Sequence, residues 1–287
     1  MMRGLKRHPD LVAGTVILLV LACFCLVVRF LFGVAGTQPT TSVESFHEVV
    51  RQAPSLRFLF GTDDYGRNLV AVIGYGLPMT AWVGFVAGAV GLGIGAALGL
   101  LAGYRGGWLD AVLRTVVDAL LTVPGLLVLV SIASVVREEI HLGLMALVVA
   151  SLSWMWPART IRAQTLAMRE AGYVQMARMN GAGSLAIVFR EILPNLLPYL
   201  AASFVGAIMS AMLATVYLES LGLGPQNEPT LGMTLYWAIS FDAMTRGMWW
   251  WWGIPVLFMI LLFLGLFLLA SGVDGIANPR RRMGERA

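Results

Sequence analysis

Few side chains in this 287-residue chain are placed to do chemistry. Asp118 stands inside the apolar run "AVLRTVVDALLTVPGLLVLV", one helical turn after Arg114. An ionisable group in a bilayer-length run marks a substrate, ion or proton site by default, whereas an acid and a base at that spacing form an intrahelical pair. Glu219 ends a later apolar run, as a substrate gate or, the plainer reading, as helix-end packing. In "MWWWWG", Trp249 to Trp252 offer indoles that stack on a sugar ring or settle at a membrane interface. Four consecutive side chains point around a helix in several directions, so they cannot all line one pathway. Trp249 and Trp250 are the pathway candidates of the four.

Other chemistries lack their residues. Cys23 and Cys25 both lie in the first apolar run, a spacing that gives neither a disulfide framework nor a zinc site. His8, His47 and His141 are far apart and have no ligand at a useful spacing. The stretch "GLGIG" has no following Lys-Ser/Thr and no preceding strand, so it is not a phosphate loop, and no Walker motif occurs. An integral membrane enzyme needs clustered nucleophiles, acids or metal ligands, and a coupled secondary transporter places ionisable groups near mid-membrane, often with inverted repeats. Neither pattern is evident. The expectation is a chain with no catalytic residue, no metal and no cofactor of its own.

The elements that must hold these residues are membrane spans. Apolar residues make up 58% of the chain and charged residues 13%, with a mean hydropathy of +0.79. The net charge of +4 is topological and not a nucleic-acid footprint, because Lys and Arg gather beside the apolar runs. A helix needs about 20 apolar residues to cross the hydrocarbon. Six stretches qualify: Leu11 to Val34, Leu77 to Gly103, Leu109 to Val136, Leu142 to Ala158, Leu196 to Leu218 and Trp251 to Ser271.

Arg3, Lys6 and Arg7 at one end, and Arg280, Arg281, Arg282 and Arg286 at the other, put both termini in the cytoplasm. Alternation then places Arg105 and residues 159–195 inside, and residues 35–76, 137–141 and 219–250 outside. The inner segment carries Arg159, Arg162, Arg169, Arg178 and Arg190, in agreement with the rule. The first run exceeds the core of about 7 to 15 residues usual in a cleaved signal, so it is read as a span. Kinks are expected at Pro124 and Pro157. Gly84 with Gly88, Gly91 with Gly95, and Gly95 with Gly99 form small-xxx-small pairs, the mark of a helix-packing face. The outer stretch "TTSVESFHEVVRQAP" reads as a short interfacial helix.

Residues 159–195 are too long for a turn and too polar to cross the membrane. "AQTLAMREAGYVQMARM" has a helical pattern with Leu166, Tyr173, Met176 and Ala177 near one face. Asn180-Gly181 breaks it, "LAIVFREIL" gives a second short amphipathic stretch, and Pro194 opens the next span. A helix, a turn and a helix beside the membrane suit docking in a protein groove.

"YVQMARMNGAGSLAIVFREILPNLLP" resembles the cytoplasmic coupling loop of ATP-binding cassette importer permeases. The family pattern is Glu-Ala-Ala, a Gly beyond it and a closing Ile-Leu-Pro. The matching residues are Gln175-Met176-Ala177, Gly181 and Ile192-Leu193-Pro194, with Gln175 and Met176 in place of Glu and the first Ala. Four more stretches resemble the dipeptide and oligopeptide permeases, C-type subunit. They are "LFGTDDYGRNLV", with Asn68 for a usual Asp, "LAGYRGGWLDAVLRTVVDALLTVPGLL", "LESLGLGPQNEPTLGMTL", and "GVDGIANPR", with Asn278 for Asp.

The resemblance implies an all-α, six-span type I importer permease fold of the prokaryotic inner membrane. It implies an N-terminal segment 1–76, a permease core 77–280 with the coupling loop at 159–195, and a basic tail 281–287. It also implies a homologous second permease, two cytoplasmic ATPase subunits that bind ATP and magnesium, and an external binding protein, with the lipid bilayer around the spans. Docking on the ATPases falls to Tyr173, Gln175, Ala177, Arg178, Asn180, Gly181, Ser184 and Pro194. The family stretch also carries the Arg and Asp of the third span, which favours a structural Arg114–Asp118 pair near the inner interface. Short peptides are the first substrate expectation, ahead of oligosaccharides or nickel.

Overall fold

The computed structural model describes residues 9–32, 49–135 and 140–277. The terminal arginines and lysine, His8, His47, Asn278, most of the 137–141 link and the first part of the expected outer interfacial helix lie outside these residues. From Arg51 to Asn68 the chain forms turns and no helix. Among the described residues the structure is helical, with one isolated bridge between Thr62 and Asn68.

Helix α1 spans Pro9–Phe32 and α2 spans Leu69–Arg105. The start of α2 at Leu69, and not near Leu77, is set by Asn68, whose side chain accepts the Val70 N–H at 3.0 Å. The expected boundary at residue 76 therefore falls inside a helix. At about 1.5 Å per residue α2 is near 55 Å long, well beyond the hydrocarbon thickness, so it tilts or projects from the bilayer.

The third expected span is two helices, α3 (Gly107–Thr122) and α4 (Gly125–Val135), bent by 84° at Val123-Pro124. Val123 is extended, the conformation favoured before a proline. The fourth is also a pair, α5 (Leu142–Ser153) and α6 (Met155–Arg169), bent by 41°. The bend falls at Trp154, which leaves Pro157 in the first turn of α6, where its missing N–H costs nothing.

The single helix expected over residues 163–179 breaks at Glu170-Ala171. Helix α6 ends there and α7 (Gly172–Met179) starts in a new phase. The second amphipathic stretch is not separate either. Helix α8 (Ser184–Ile187), a wide turn at Val188–Ile192 and α9 (Leu193–Ser220) follow without a gap. Pro194 has no N–H to return to the carbonyl four residues back, and its ring crowds that carbonyl. The preceding turn widens to i→i+5, with the Leu193 N–H reaching the Val188 carbonyl. Helices α10 (Leu231–Ser240) and α11 (Trp249–Ala277) complete the order. Among the described residues four helices are individually long and apolar enough to cross a membrane, and the two bent pairs bring the number to six if each is one span.

Helix α2 is the axis, packed chiefly on α6, α9 and α5, while α1 lies along α11. The glycine stripe makes this possible. A Cβ at Gly84 would stand 1.9 Å from Met212 Cγ, and one at Gly88 2.8 Å from Ile208 N, on α9. On the α5–α6 side, a Cβ at Gly91 would meet Ser153, at Gly95 the Trp154 carbonyl at 2.7 Å, and at Gly99 the Ala158 carbonyl at 2.8 Å. Gly93, off the stripe, has open space. Where lipid gives no hydrophobic drive, such backbone approach supplies the dispersion contact that holds helices together.

Candidate functional site

The loop between α6 and α9 is exposed on one side and rooted on the other. Val174 of α7 is fully buried in an apolar cluster with Leu100 and Tyr104 of α2, Ile161 of α6, and Ile187, Ile192 and Leu196 of the α8–α9 segment. Ala177 packs at its edge. Met176, expected on one face with Leu166, Tyr173 and Ala177, is 61% exposed, as Tyr173 is at 38%. Met179 is 79% exposed beside it.

Of the expected docking residues, Tyr173, Gln175, Arg178, Asn180, Gly181, Ser184 and Pro194 are all exposed. They are not equivalent. The Gln175 amide donates to the Glu170 carbonyl at 3.2 Å, closing the end of α6. Arg178 lies over the Tyr104 ring at 5.9 Å. Gly181 has φ +79°, and the Ala182 N–H bonds back to the Ala177 carbonyl at 3.1 Å, the glycine-terminated helix ending that a β-carbon disfavours. Met176, Met179 and Leu185, which sequence reading did not single out for docking, are large apolar side chains held in the open beside these polar ones.

At the opposite end of the bundle, the "GTDDYGRN" stretch builds a cap. Asp63 is buried, ion-paired with Arg67, and accepts the backbone N–H groups of Tyr65 and Arg67. Burial pushes its carboxyl up, against the downward pull of the Arg67 guanidinium and those N–H groups. Arg51 and Arg246 both hold Asp64. Gly61 has φ +76°, and a β-carbon there would lie 2.6 Å from the Gln52 carbonyl. Tyr65 meets Trp237 and Phe241 edge-on. Trp250 and Trp251 are buried in this cap, and Trp249 is exposed. Trp250 therefore works in packing within this chain, and Trp249 is the indole left free for an interface.

Glu219 is fully buried at the end of α9. Its nearest polar neighbours are the Thr230 side chain and the Gly232 N–H, yet neither carboxylate oxygen attains hydrogen-bond geometry among the described residues. Asp118 is half-exposed and lies 3.8 Å from Arg114 and 3.6 Å from Arg159. The closer pair is one that sequence reading missed: Arg162 of α6 grips Asp110 of α3 with two parallel bonds, the second at 2.6 Å, each side chain 18% exposed. A groove of about 380 Å³ runs between α5–α6 and α9, lined by Ser153, Trp156, Thr160, Tyr199, Ser203 and Ser210 among others, with no charged side chain.

Long apolar helices, bent spans and a loop rooted among them are the architecture of a multi-pass membrane protein. Residues 95–283 match the family described as binding-protein-dependent transport system inner membrane component. Dipeptide transport system permease protein DppC of Bacillus subtilis is 29% identical over 287 residues, covering 98% of this chain and 85% of that protein. DppC of Haemophilus influenzae is 27% identical over 276 residues, covering 96% and 92%. Glutathione transport system permease protein GsiD of Pectobacterium atrosepticum is 30% identical over 227 residues, covering 78% and 72%. The chain belongs to the binding-protein-dependent transport system inner membrane component family. It is the permease component of an ATP-binding cassette system, a membrane channel subunit and not an enzyme.

Proposed function

We propose that this chain forms half of the translocation pathway of an ATP-driven importer for short peptides. A homologous second permease supplies the other half, two cytoplasmic ATPase subunits bind ATP and magnesium, and an extracytoplasmic binding protein delivers substrate at the capped end. Both termini and the α6–α9 loop then face the cytoplasm. The observation that carries this reading is α7, which presents Tyr173, Met176, Arg178 and Met179 outward while Val174 is sunk in a cluster shared by α2, α6 and α9. A push on α7 reaches three membrane helices at once, as a rigid-body switch requires. The peptide assignment is supported by relatives named for dipeptide and glutathione transport. The uncharged, hydroxyl-bearing groove agrees with it, since hydroxyls pair with peptide groups without selecting side chains.

The test is affinity purification of tagged protein in mild detergent, with mass spectrometry of what accompanies it, repeated for Gly181→Asp and Arg178→Glu. A second permease and ATPase subunits are expected with the unaltered chain and depleted with the variants. Uptake of labelled dipeptide by proteoliposomes of the complex, in competition with oligosaccharide and with nickel, identifies the substrate. An ATPase-free homo-oligomer recovered from intact membranes overturns the proposal.

A further inference from the structure

The groove between α5–α6 and α9 has two walls of different chemistry. On the α5–α6 wall the hydroxyls are already engaged: Ser153 donates to the Val149 carbonyl at 2.7 Å, and Thr160 to the Trp156 and Pro157 carbonyls at 3.1 and 3.2 Å. On the α9 wall they are not. Tyr199, Ser203 and Ser210 line the groove, and none of their hydroxyls has a hydrogen-bond partner among the described residues. The same helix shows the alternative: Thr215 and Ser220 return their hydroxyls to the Ala211 and Tyr217 carbonyls at 2.9 and 2.8 Å, the local bond such side chains commonly make in a helix.

The spacing of the three free hydroxyls indicates what they fit. At about 100° per residue, Tyr199, Ser203 and Ser210 fall within about 40° of one another around α9. They form one row. Along the axis Ser203 and Ser210 are about 10 Å apart, and Tyr199 and Ser210 about 16 Å. An extended chain rises about 3.3 Å per residue, so the row matches about three to five residues of peptide. Between the serines the floor is bare, since a β-carbon at Gly206 would meet nothing within 4 Å. A hydroxyl both donates and accepts, so such a row pairs with the N–H and C=O groups of a main chain whatever its side chains. Trp156, 64% exposed on the facing wall, offers those side chains a broad apolar surface. With no charged side chain in the groove, the hold is weak enough to release what it binds, as passage requires. The α3–α6 cleft, lined by Arg114, Asp118, Arg159 and Arg162, has no such neutral row.

We infer that this groove is a peptide-contact site, in which Tyr199, Ser203 and Ser210 hydrogen-bond the main chain of an extended peptide of up to about five residues while Trp156 lies against its side chains. The inference rests on the peptide-import reading and names the residues that meet the peptide.

The experiment uses the purified complex with its binding protein in proteoliposomes, and follows ATP-driven uptake of labelled trialanine at limiting loaded binding protein. Ser203→Ala and Ser210→Ala are each expected to lower uptake about fivefold, the worth of one hydrogen bond. Ser210→Asp is expected to shift the uptake ratio of Ala-Lys-Ala to Ala-Glu-Ala several-fold toward the lysine peptide, relative to the unaltered complex. A poorly folded variant cannot produce that change of preference. In Ser210→Cys, trialanine is expected to slow alkylation of the new thiol. Unchanged uptake in both alanine variants, an unshifted ratio, or alkylation that peptide does not slow overturns the inference and leaves peptide import standing. Alkylation that is slow throughout puts the second permease in the groove. An unaltered complex that takes up oligosaccharide or nickel and no trialanine overturns the import reading, and the inference with it.

Discussion

The indole N–H of Trp250 donates to the backbone carbonyl of Thr62 at 3.1 Å, tying the first turn of α11 to the loop that precedes α2. Both residues are buried. Trp250→Phe keeps most of the apolar area and strands the carbonyl, so the complex is expected to lose about 1 to 3 kcal/mol. Trp249→Phe, on the exposed neighbour, is expected to cost no more than about 0.5 kcal/mol. Thermal unfolding of the two variants side by side checks the contrast, and equal loss from both defeats it.

The glycine stripe of α2 makes a sharper contrast within one helix. Gly95→Leu forces a side chain into the Trp154 carbonyl and Pro157, whereas Gly93→Leu points into open space. Overpacking costs about 1 to 3 kcal/mol where neighbours can yield, and more where the obstacle is backbone. The first variant is expected to give little monodisperse protein on size-exclusion chromatography, and the second a normal yield.

These positions also show what the sequence discloses and what it hides. Small residues at a fixed helical spacing need no partner to be recognised, so the α2 packing face was legible, although not which glycine meets which helix. Pro124 announced a break without its 84° angle, because the direction α4 takes depends on what it packs against. The pairing of Asp110 with Arg162 crosses 52 residues and leaves no local trace. Tyr173 and Met176 do share a face, and it is the exposed one, whereas the break at Glu170-Ala171 that separates them from Leu166 has no proline or Asn-Gly pair to announce it. Asn68, a departure from the family's Asp, is explained by its N-cap bond, for which Asn and Asp serve about equally well.

Glu219 is a buried carboxyl with no hydrogen bond of good geometry among the described residues, pressed against Gly224 and Gly232. Burying such a group without a partner is unfavourable, and a neutral amide of the same shape avoids the charge. Glu219→Gln is expected to raise the melting temperature of the complex, whereas Glu219→Ala, which opens a void between the two glycines, lowers it. A fall with Gln as large as that with Ala would mean that the carboxyl is held by the Thr230 hydroxyl and the Gly232 N–H after all.

Val174 and Met176 stand two positions apart on α7, one fully buried and one 61% exposed, so their variants should fail in different assays. Val174→Ala removes two buried methyl groups and is expected to destabilise the chain by about 2 kcal/mol, read as a lower unfolding temperature. Met176→Ala removes contacts only with what docks there, so the isolated permease should unfold as before. In the assembled transporter the same change is expected to cut substrate-stimulated ATP hydrolysis several-fold, because a flexible thioether that fills a partner's groove is lost. The separation of the two effects distinguishes a docking residue from a folding residue. If Met176→Ala leaves stimulated hydrolysis intact, α7 meets its partner through Tyr173 and Arg178 instead, and the exposed methionines have no part in coupling.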